Sequence, residues 1–343
     1  MKTQHVTIKN IAAELGLSVS TVSRALKDHP DISQTTKQRT QALAKQLCYT
    51  PNPIALSLKS QRSYLVGVIV PEIAHYFFST VIGGIESVAD ACGYSLILVQ
   101  SGEQLSREEK VLGHIVNLRV DGVLASVSKE TNSYGHFQRL LDERIPLVFF
   151  DRVADSLDAT HVTVDDFRGA YDATKHLIAQ GCRSVAHFYG PRNRSIFRSR
   201  HDGYRQALED AGLPFRPQLV VEADTLEKGT AQTERLVQQR IAFDAIFAVN
   251  DFTAAGAMLA LRKAKLSVPH DVAVVGYTDA PTAKVLTPSL SSVHQSGFEM
   301  GQQAMKALLR QIGAEDRLPA ERIVLPAQLV VRESSLRDLV TIK

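Results

Sequence analysis

Residues 7–26 read Thr7-Ile8-Lys9-Asn10-Ile11-Ala12-Ala13-Glu14-Leu15-Gly16-Leu17-Ser18-Val19-Ser20-Thr21-Val22-Ser23-Arg24-Ala25-Leu26, and the spacing of apolar residues in this segment predicts the structure of the N-terminal part of the chain. Apolar residues recur at helical spacing on both sides of Gly16, which predicts two short helices joined by a turn. Thr7 and Ser18 are residue types that cap such helices. A third helix is predicted from Ser33 to about Leu47. The pattern indicates an all-α helix-turn-helix domain.

The second of these helices carries small polar residues on the side that its apolar residues leave exposed. Ser20, Thr21 and Ser23 are short enough to let the start of the helix enter a major groove, where its backbone amides meet phosphate. Arg24, one turn further on, suits the bidentate edge of guanine. A small helical bundle without a DNA role is the alternative, and the polar surface favours DNA binding over it.

The charge distribution agrees with a nucleic-acid module at the N-terminus. Residues 1–62 carry nine Lys and Arg against three Asp and Glu, a net charge of +6. The whole chain of 343 residues has a net charge of +3, so the rest carries about −3. This asymmetry predicts a basic module that meets phosphate and a larger module with another task.

The N-terminal run resembles the signature of the lactose-repressor (LacI-type) family, and the similarity continues through Tyr49-Thr50-Pro51-Asn52-Pro53 into the rest of the chain. The resemblance implies that Val19, Ser20 and Arg24 read bases, Val19 through an apolar contact only. The predicted DNA-contact set of this domain is Thr7, Ser18, Val19, Ser20, Thr21, Ser23 and Arg24. Cys48 stands where the family usually has Gly, and a left-handed residue at the end of the third helix would cost Cys on the order of 1 kcal/mol.

A short linker follows the helical domain. Asn52 can cap a helix and Pro53 suits its first turn, but residues 54–60 are too few to form a stable helix alone in water. The resemblance implies a hinge helix that pairs in a dimer, enters the minor groove and wedges Leu58 between base pairs. Asn52, Ala55, Leu58 and Lys59 are its expected DNA contacts, and a plain linker is the alternative.

Beyond the linker, short apolar runs alternate with amphipathic stretches. The predicted strands are 65–70, 95–99, 122–126, 147–150, 185–189, 245–248 and 272–275, and the predicted helices are 77–91, 105–118, 167–180, 198–211, 230–239, 253–263 and 297–311. Such alternation predicts parallel sheets with helices on both faces. The length fits two lobes of this doubly wound α/β type.

Polar residues follow several of these strands. Asp151, Asn250-Asp251, Thr278-Asp279 and the arginines between residues 192 and 200 all come after predicted strands. Ligands of doubly wound sheets bind beyond the carboxyl ends of the strands. Each residue alone is typical of a helix cap or a solvated loop. Their common location predicts a cleft for a hydroxyl-rich or planar small molecule.

The core also resembles periplasmic sugar-binding proteins, which implies two lobes joined by three crossovers. The positions that match the effector cleft of the LacI-type family are Phe77, Phe78, Asp151, Arg194, Ile196, Arg200, Asn250 and Thr278. Thr278 departs from the family, in which most sugar-binding members have Asp, and Asp279 could substitute for it. Ile196 is apolar where the purine-binding member has a hydrogen-bonding residue. The arginines and the lost carboxylate favour a sugar acid or sugar phosphate over a neutral hexose.

The expected domain limits are residues 1–50, 51–61 and 62–343. The first lobe is expected at about 62–162 and 292–324, and the second at about 163–291 and 325–343. The expected partners are palindromic operator DNA, a sugar, sugar acid or sugar phosphate effector and a second copy of the chain, with no membrane, cofactor or metal. The chain is expected to be a cytoplasmic repressor.

Two other classes of function are less consistent with the sequence. A free-standing solute-binding protein would need a signal peptide, and none is recognised at the start of the chain. An enzyme on the same core is disfavoured because the nucleophile-elbow, phosphate-loop, dinucleotide and zinc-protease motifs are all missing. The three cysteines, Cys48, Cys92 and Cys182, form neither a disulfide framework nor a Cys-x-x-Cys motif.

Overall fold

A computed structural model describes residues 6–47, 49 and 62–337. The chain divides into two compact units, residues 1–64 and residues 65–343, and each is described by itself. The first unit is helical and the second combines helices with largely parallel sheets, which confirms the predicted fold class. Within the described residues, no helix has both the length and the apolar character that a membrane span requires.

The N-terminal unit contains helices α1 (Ile8–Leu15), α2 (Val19–Leu26) and α3 (Gln34–Gln46). Gly16 ends α1 with φ of 66°, a left-handed conformation that glycine adopts without a steric penalty. Ser18 caps α2 by accepting a hydrogen bond from the Thr21 amide at 3.0 Å. Ile11 and Val22 are fully buried in the core between the three helices. The predicted helix-turn-helix is thereby confirmed.

The second unit is built on two six-stranded sheets. Its strands are β1 (Leu65–Val70), β2 (Ser95–Gln100), β3 (Gly122–Ala125), β4 (Leu147–Phe150), β5 (Thr160–Val164), β6 (Val185–Tyr189), β7 (Val220–Glu222), β8 (Ala245–Ala248), β9 (Ala273–Thr278), β10 (Ser291–Gln295), β11 (Arg322–Leu325) and β12 (Ala327–Val330). The first sheet has the order β11-β5-β4-β3-β1-β2 and is parallel throughout. The second has the order β12-β10-β9-β8-β6-β7, and only β12 is antiparallel.

Helices cover both faces of each sheet. They are α4 (Tyr76–Ala91), α5 (Leu105–Asn117), α6 (Gly135–Asp142), α7 (Asp166–Ala179), α8 (Ser195–Asp210), α9 (Leu226–Gln238), α10 (Asp251–Lys263), α11 (Thr282–Val285) and α12 (Gly297–Gly313). We call the first sheet with α4, α5, α6 and α12 the first lobe, and the second sheet with α7 to α11 the second lobe. Each lobe has an apolar cluster on either side of its sheet, as a doubly wound fold requires.

The chain crosses between the lobes three times: after β5, after β10 and between β11 and β12. These crossings differ slightly from the expected lobe limits. The expected change after residue 162 falls inside β5, which keeps its pairing with the first sheet up to Val164. The expected return at residue 292 falls inside β10, which stays in the second sheet to Gln295. Sheet hydrogen bonding therefore moves both crossings a few residues later.

The sequence missed five strands, β5, β7, β10, β11 and β12, and the short helices α6 and α11. Two of these strands are polar yet buried. In β10, Ser292 donates a 2.5 Å hydrogen bond to Asp251, and Ser291 donates one of 2.9 Å to the Arg332 carbonyl. In β5, the Thr160 hydroxyl accepts from Gln311 and from the Glu321 amide. Tertiary hydrogen bonds replace the apolar pattern from which buried strands are recognised.

Helices α4 and α12 pack so closely that their glycines touch backbone. A Cβ built on Gly301 would lie 2.0 Å from the Val81 carbonyl oxygen, and one on Gly84 would lie 2.0 Å from the Phe298 carbonyl oxygen. Side chains of ordinary size would force the helices apart. The two glycines therefore set the distance between α12 and α4 of the first lobe. Helix α12 is the segment that follows the crossing from the second lobe.

We predict that Gly301→Ala destabilises the second unit by about 1–3 kcal/mol, because its new methyl group meets backbone that cannot move aside cheaply. Gly113→Ala is the matched control, since a Cβ at this position of α5 has no atom within 4 Å. Removing glycine from an open helix position should stabilise by roughly 0.5–1 kcal/mol. Thermal unfolding of the full chain followed by circular dichroism measures both, and a Gly301→Ala variant as stable as the control would contradict the packing argument.

Candidate DNA-contact helix and effector cavity

The outer surface of α2 is polar at its start and basic one turn later. Val22 and Ala25 are fully buried, whereas Val19 keeps 42% of its surface exposed. Ser20 and Arg24 are exposed, and Thr21 and Ser23 are half-buried. The helix thus presents small side chains and one guanidinium on the face opposite to its core contacts. This arrangement has the chemistry of a helix that reads a major groove.

Two of the predicted DNA-contact residues also have local structural roles. Thr7 precedes α1 and donates hydrogen bonds to the Asn10 side chain from its amide, at 2.8 Å, and from its hydroxyl, at 2.6 Å. Ser18 combines its capping bond with hydroxyl contacts of 2.8 Å to Ser20 and to Thr21. Capping holds these side chains at helix starts, where backbone amides are available to phosphate.

Among the described residues, the charged partner of Arg24 is a loose one. Its Nη1 lies 4.0 Å from a carboxylate oxygen of Asp31, and both side chains are more than half exposed. Exposed pairs at this distance contribute little, so Arg24 can exchange Asp31 for a base edge at small cost. The other predicted residues of this region, Cys48 and the hinge set of Asn52, Ala55, Leu58 and Lys59, lie outside the described residues.

A cavity of about 380 Å³ opens between the two lobes of the second unit. The residues that line it follow the carboxyl ends of strands in both lobes: Glu72, Ala74, His75, Phe77, Phe78, Glu103, Lys129, Asp151 and Arg152 from the first, and Ile196, Phe197, Arg200, Asp224, Thr225, Leu226, Glu227, Val249, Asn250, Phe252, Thr278 and Gln295 from the second. The cavity thus occupies the position that the parallel topology predicts for a ligand.

Seven of the eight predicted effector residues line this cavity: Phe77, Phe78, Asp151, Ile196, Arg200, Asn250 and Thr278. Arg194 is not among the lining residues. Its guanidinium is buried and donates hydrogen bonds to the Thr131 carbonyl and, at 3.2 Å, to the Tyr134 hydroxyl. Arg194 comes just before α8, and these bonds turn its side chain toward a loop of the first lobe. The structure therefore shows Arg194 bonded between the lobes, and its contact with an effector stays a prediction.

Arg200 is held in place by groups of its own lobe and of the first crossing. Its Nε donates to Asp166 at 2.7 Å and its Nη1 to the Val249 carbonyl at 2.7 Å. The guanidinium carbon also lies 3.6 Å from the centre of the Tyr277 ring. Asp166 and the aromatic face offset the cost of burying this cation. A ligand would therefore meet an arginine whose orientation is already fixed.

Asp151 is the most perturbed carboxyl group in the cavity lining. It ends β4 in a left-handed conformation, with φ of 58°, and only 7% of its surface is exposed. Burial raises the pKa of Asp151 to about 6, because the nearby Arg152 and Arg200 only partly offset the loss of solvent. The group therefore gains from any ligand that donates hydrogen bonds to its ionised form.

Thr278 and its neighbour Asp279 point to different partners. The Thr278 hydroxyl donates to Gln295 at 3.2 Å, and both residues line the cavity. Asp279 is not among the lining residues; its carboxylate lies 2.6 Å from Arg332 and 3.4 Å from His294. Asp279 therefore does not substitute for the carboxylate that Thr278 replaces. The neutral pair of Thr278 and Gln295 occupies this wall.

Asn250 has the structural role that the sequence left open as an alternative. Its Oδ1 accepts from the Thr253 amide at 2.8 Å and caps α10. Its Nδ2 donates to the Asp224 carbonyl at 2.9 Å. Because both ends of the amide have partners, Asn250 lines the cavity as a rigid polar wall as well as a helix cap.

Sequence reasoning missed a charged group that lines the same cavity: Glu103, Lys129, Arg152 and Asp224. Arg152 Nη1 donates to both oxygens of Glu103 at 2.8 Å, and Lys129 Nζ lies 2.7 Å from Asp224. All four follow strands. Asp224 was missed because β7 was not recognised, and Arg152 was passed over because its neighbour Asp151 was taken as the polar residue that follows β4. Their position after strands was the one signal that could have found them.

Among the described residues, no three His, Cys, Asp or Glu side chains come together as they would around a metal ion. His75 lines the cavity beside Phe78 and Phe252, with ring centres 5.9 Å apart in each pair. Burial lowers the pKa of His75 to about 4, and the positive charges of Arg152 and Lys129 add to this effect. The imidazole is therefore neutral at pH 7.

Comparison with known proteins gives the same two modules. Residues 7–52 match the family described as bacterial regulatory proteins, lacI family, and residues 174–335 match the periplasmic binding protein-like domain. The HTH-type transcriptional regulator DegA of Bacillus subtilis strain 168 is 31% identical over 331 residues, covering 96% of this chain and 98% of that protein.

Solved structures are similar over nearly the whole chain. The Lac repressor dimer bound to operator and the anti-inducer ONPF matches with a TM-score of 0.87 and 26% identity, covering 97% of this chain and 100% of that one. The complex of the transcriptional regulator CelR with cellobiose matches with a TM-score of 0.74 and 30% identity, covering 96% and 100%.

A helix-turn-helix unit on the same chain as a two-lobed core with a cavity at its strand ends defines a ligand-responsive transcription regulator. The chain belongs to the lacI family of bacterial regulatory proteins. The predicted family and general function are thereby confirmed.

We predict that the carboxylate of Asp151 costs stability at neutral pH. Its pKa is about 6 in the folded chain and 3.8 ordinarily, so the ionised group destabilises the fold by about 3 kcal/mol above pH 6. This cost falls as the pH drops through 6 and vanishes below about 3.8, where both states are protonated. Asp151→Asn should therefore be more stabilising at pH 8 than at pH 5 in urea unfolding of the full chain.

The exposed Asp90 provides the control, because Asp90→Asn makes the same chemical change at the surface and should change stability little. A stability difference between parent and Asp151→Asn that does not change from pH 5 to pH 8 would show that Asp151 titrates normally.

Proposed function

We propose that this protein is a repressor that binds a palindromic operator as a homodimer and is controlled by a neutral sugar in the cavity between its lobes. The observation that carries the proposal is the convergence of seven predicted effector residues on one cavity, in a chain whose α2 presents an exposed polar and basic face. A regulator that acts on the bacterial chromosome works in the cytoplasm, and the relatives described above are named as regulators rather than enzymes.

The DNA side of the proposal is supported by α2. Val19, Ser20 and Arg24 are its most exposed residues, so the helix can approach a groove without losing core contacts. Phosphate contacts from helix starts would fix the register, and Arg24 would read a guanine edge. Two copies would place two such helices on the half-sites of a palindrome, and one solved relative is a dimer bound to operator.

The charges of the cavity favour a neutral effector. Five carboxyl side chains line it, those of Glu72, Glu103, Asp151, Asp224 and Glu227, against three cations, those of Lys129, Arg152 and Arg200. Each cation already has a carboxylate partner. An added carboxylate or phosphate would displace one of these partners and would meet Asp151 across the cavity. The expected preference for a sugar acid or sugar phosphate is therefore replaced here by a neutral sugar.

The remaining lining suits such a ligand. Asp151 gains from hydroxyl donors, and the fixed Arg200 supplies a donor to hydroxyl oxygens. Phe77, Phe78 and Phe252 offer apolar surface to the C–H faces of a sugar ring. A ligand that binds one arrangement of the lobes better than another shifts the chain toward that arrangement, and so alters DNA affinity.

The experiment that tests the effector proposal compares matched ligands on the full chain. In a thermal-shift series of neutral pentoses, hexoses and disaccharides with their aldonate and phosphate counterparts, we expect the largest rise in Tm from a neutral sugar. A native-state ligand at 100 times its Kd stabilises by about 2.7 kcal/mol. Arg200→Ala should lose the shift and keep operator binding in a gel shift.

Two results would go against this proposal. Stabilisation by acids or phosphates alone would overturn the neutral-sugar class. A chain that shifts with sugars but fails to retard any palindromic DNA would overturn its role as a repressor and leave a sugar-binding protein.

For the DNA helix, we predict that Arg24→Ala weakens binding to the preferred operator by about 1–3 kcal/mol and relaxes the preference at one base pair of each half-site. Lys27→Ala is the control, because Lys27 is an exposed cation at the end of the same helix. It should weaken binding to all sequences about equally. Selection from random DNA followed by gel shifts measures both, and equal losses on specific and random DNA would reduce Arg24 to a phosphate contact.

A further inference from the structure

Three side chains reach between the lobes at one loop, residues 126–134, which we call the bridging loop. Lys129 of this loop places its ammonium 2.7 Å from the Asp224 carboxylate of the second lobe. Asn193 of the second lobe donates to the Lys129 carbonyl at 2.6 Å. Arg194 donates to the Thr131 carbonyl and to the Tyr134 hydroxyl. The bridging loop is therefore bonded to the second lobe through side chains and backbone together.

Within the first lobe, the bridging loop is anchored by two carboxylates. Glu108 of α5, with no exposed surface, accepts from the Ser128 amide and hydroxyl at 2.7 Å each and from the Thr131 hydroxyl at 2.8 Å. Glu103 accepts from the Lys129 amide at 2.8 Å. A loop held at this many points moves with the first lobe as one body. A movement between lobes must therefore break the contact of Lys129 with Asp224.

Asp224 divides its two oxygens between two lysines. Oδ2 faces Lys129 of the first lobe and Oδ1 faces Lys228 of its own lobe, each at 2.7 Å. Burial would raise the pKa of Asp224, but the two ammonium groups outweigh this effect and hold its pKa below the usual value. The side chain of Asp224 is 4% exposed, and a buried carboxylate that loses a cation is left poorly compensated. Separation of the lobes therefore carries an electrostatic cost at this point.

We propose that Lys129 and Asp224 form a latch that holds the lobes closed over the cavity before any effector binds. The inference rests on the proposed function, in which the arrangement of the lobes carries the signal. Both residues line the cavity, so the latch also sets how readily a ligand enters it. Lys129 is a positioning residue for this switch, and its ion pair adds to the bonds of Asn193 and Arg194 in favouring the closed chain.

The chain contains no tryptophan, which allows one indole to report on the cleft. Phe252 of the second lobe lies 5.9 Å from His75 of the first, so the variant Phe252→Trp places the reporter where the lobes meet. Its emission is measured in the full chain without DNA or sugar, over a series of NaCl concentrations. Lys129→Met removes the cation that bridges the lobes. Lys228→Met removes the cation that holds the same carboxylate from within one lobe.

We expect Lys129→Met to shift the emission to the red and to raise the open-to-closed ratio at least about fivefold, because a pair with a buried carboxylate should contribute no less than the strongest exposed pairs. Added salt should raise the open fraction of the parent chain, because it screens the ion pair of Lys129 with Asp224. It should change the Lys129→Met variant less, because that variant lacks the pair. Lys228→Met should behave like the parent. The exchanged pair, Lys129→Asp with Asp224→Lys, should restore part of the closed emission.

Equal spectra for Lys129→Met and Lys228→Met would overturn the latch. Hydrogen exchange across residues 126–134 and 191–196, measured without the tryptophan, repeats the comparison free of any effect of the reporter. Faster exchange in Lys129→Met alone supports the proposal, and unchanged exchange contradicts it. These readouts use neither operator nor effector, so a failed latch is distinguishable from a failed assignment as a sugar-controlled repressor.

Discussion

The parallel direction of the strands is the constraint on which the rest of the second unit depends. Parallel strands end at the same edge of a sheet, so the segments that follow β1 to β4 in one lobe and β6 to β10 in the other meet in one cleft. Among the strands that the structure describes, the antiparallel β12 supplies no residue to the cavity lining, and neither do β5 and β11. The parallel topology thus brings residues from nine strand ends into one site, although these residues are spread along the sequence from Glu72 to Gln295.

Because many strand ends meet in the cleft, many charged side chains lie close together there. Ion pairs offset the cost of removing these side chains from water. Arg200 is paired with Asp166, Arg152 with Glu103, and Lys129 with Asp224. Buried ion pairs of this kind add little net stability, since desolvation consumes most of their attraction, but breaking one is costly. They therefore fix geometry more than they stabilise the fold. Asp151 has a looser cation contact, 3.9 Å from Arg152 Nε, and its burial outweighs that contact and raises its pKa, so a ligand can most readily change its protonation.

The sequence predicted the helices and strands whose pattern of residues is local. It missed the strands whose burial depends on hydrogen bonds to residues far away in the chain. The helix-turn-helix was readable because its caps, its turn glycine and its apolar spacing are all local to residues 7–26. Strands with continuous apolar runs, such as β1 and β4, were also readable. The polar strand β10 was missed, since the hydroxyls of Ser291 and Ser292 donate to the Arg332 carbonyl and to Asp251, each 41 residues away in sequence.

The cavity was predicted in part for the same reason. Seven residues taken from the family pattern line the cavity, and Arg194 does not, because its side chain turns to the first lobe, more than sixty residues away in sequence. The pairing of Lys129 with Asp224 had no local signal at all. Charge alone could not rank ligands either: the arginines in the sequence suggested an anion, and only their carboxylate partners in the structure favour a neutral ligand.

Backbone strain gives a separate line of argument for the same edge of the sheets. Glu103, Asp151, Thr278 and Asp279 all have positive φ, and the value of 117° for Thr278 is far from what a β-branched residue prefers. Each such residue costs on the order of 1–3 kcal/mol unless its surroundings impose the conformation. Three of the four line the cavity, and the fourth adjoins Thr278. Arg119, Arg144, Arg240 and Lys265 also have positive φ and lie outside the cavity lining, so positive φ alone does not mark this edge. What distinguishes the cavity edge is Thr278, a β-branched residue held at a φ that its surroundings must impose.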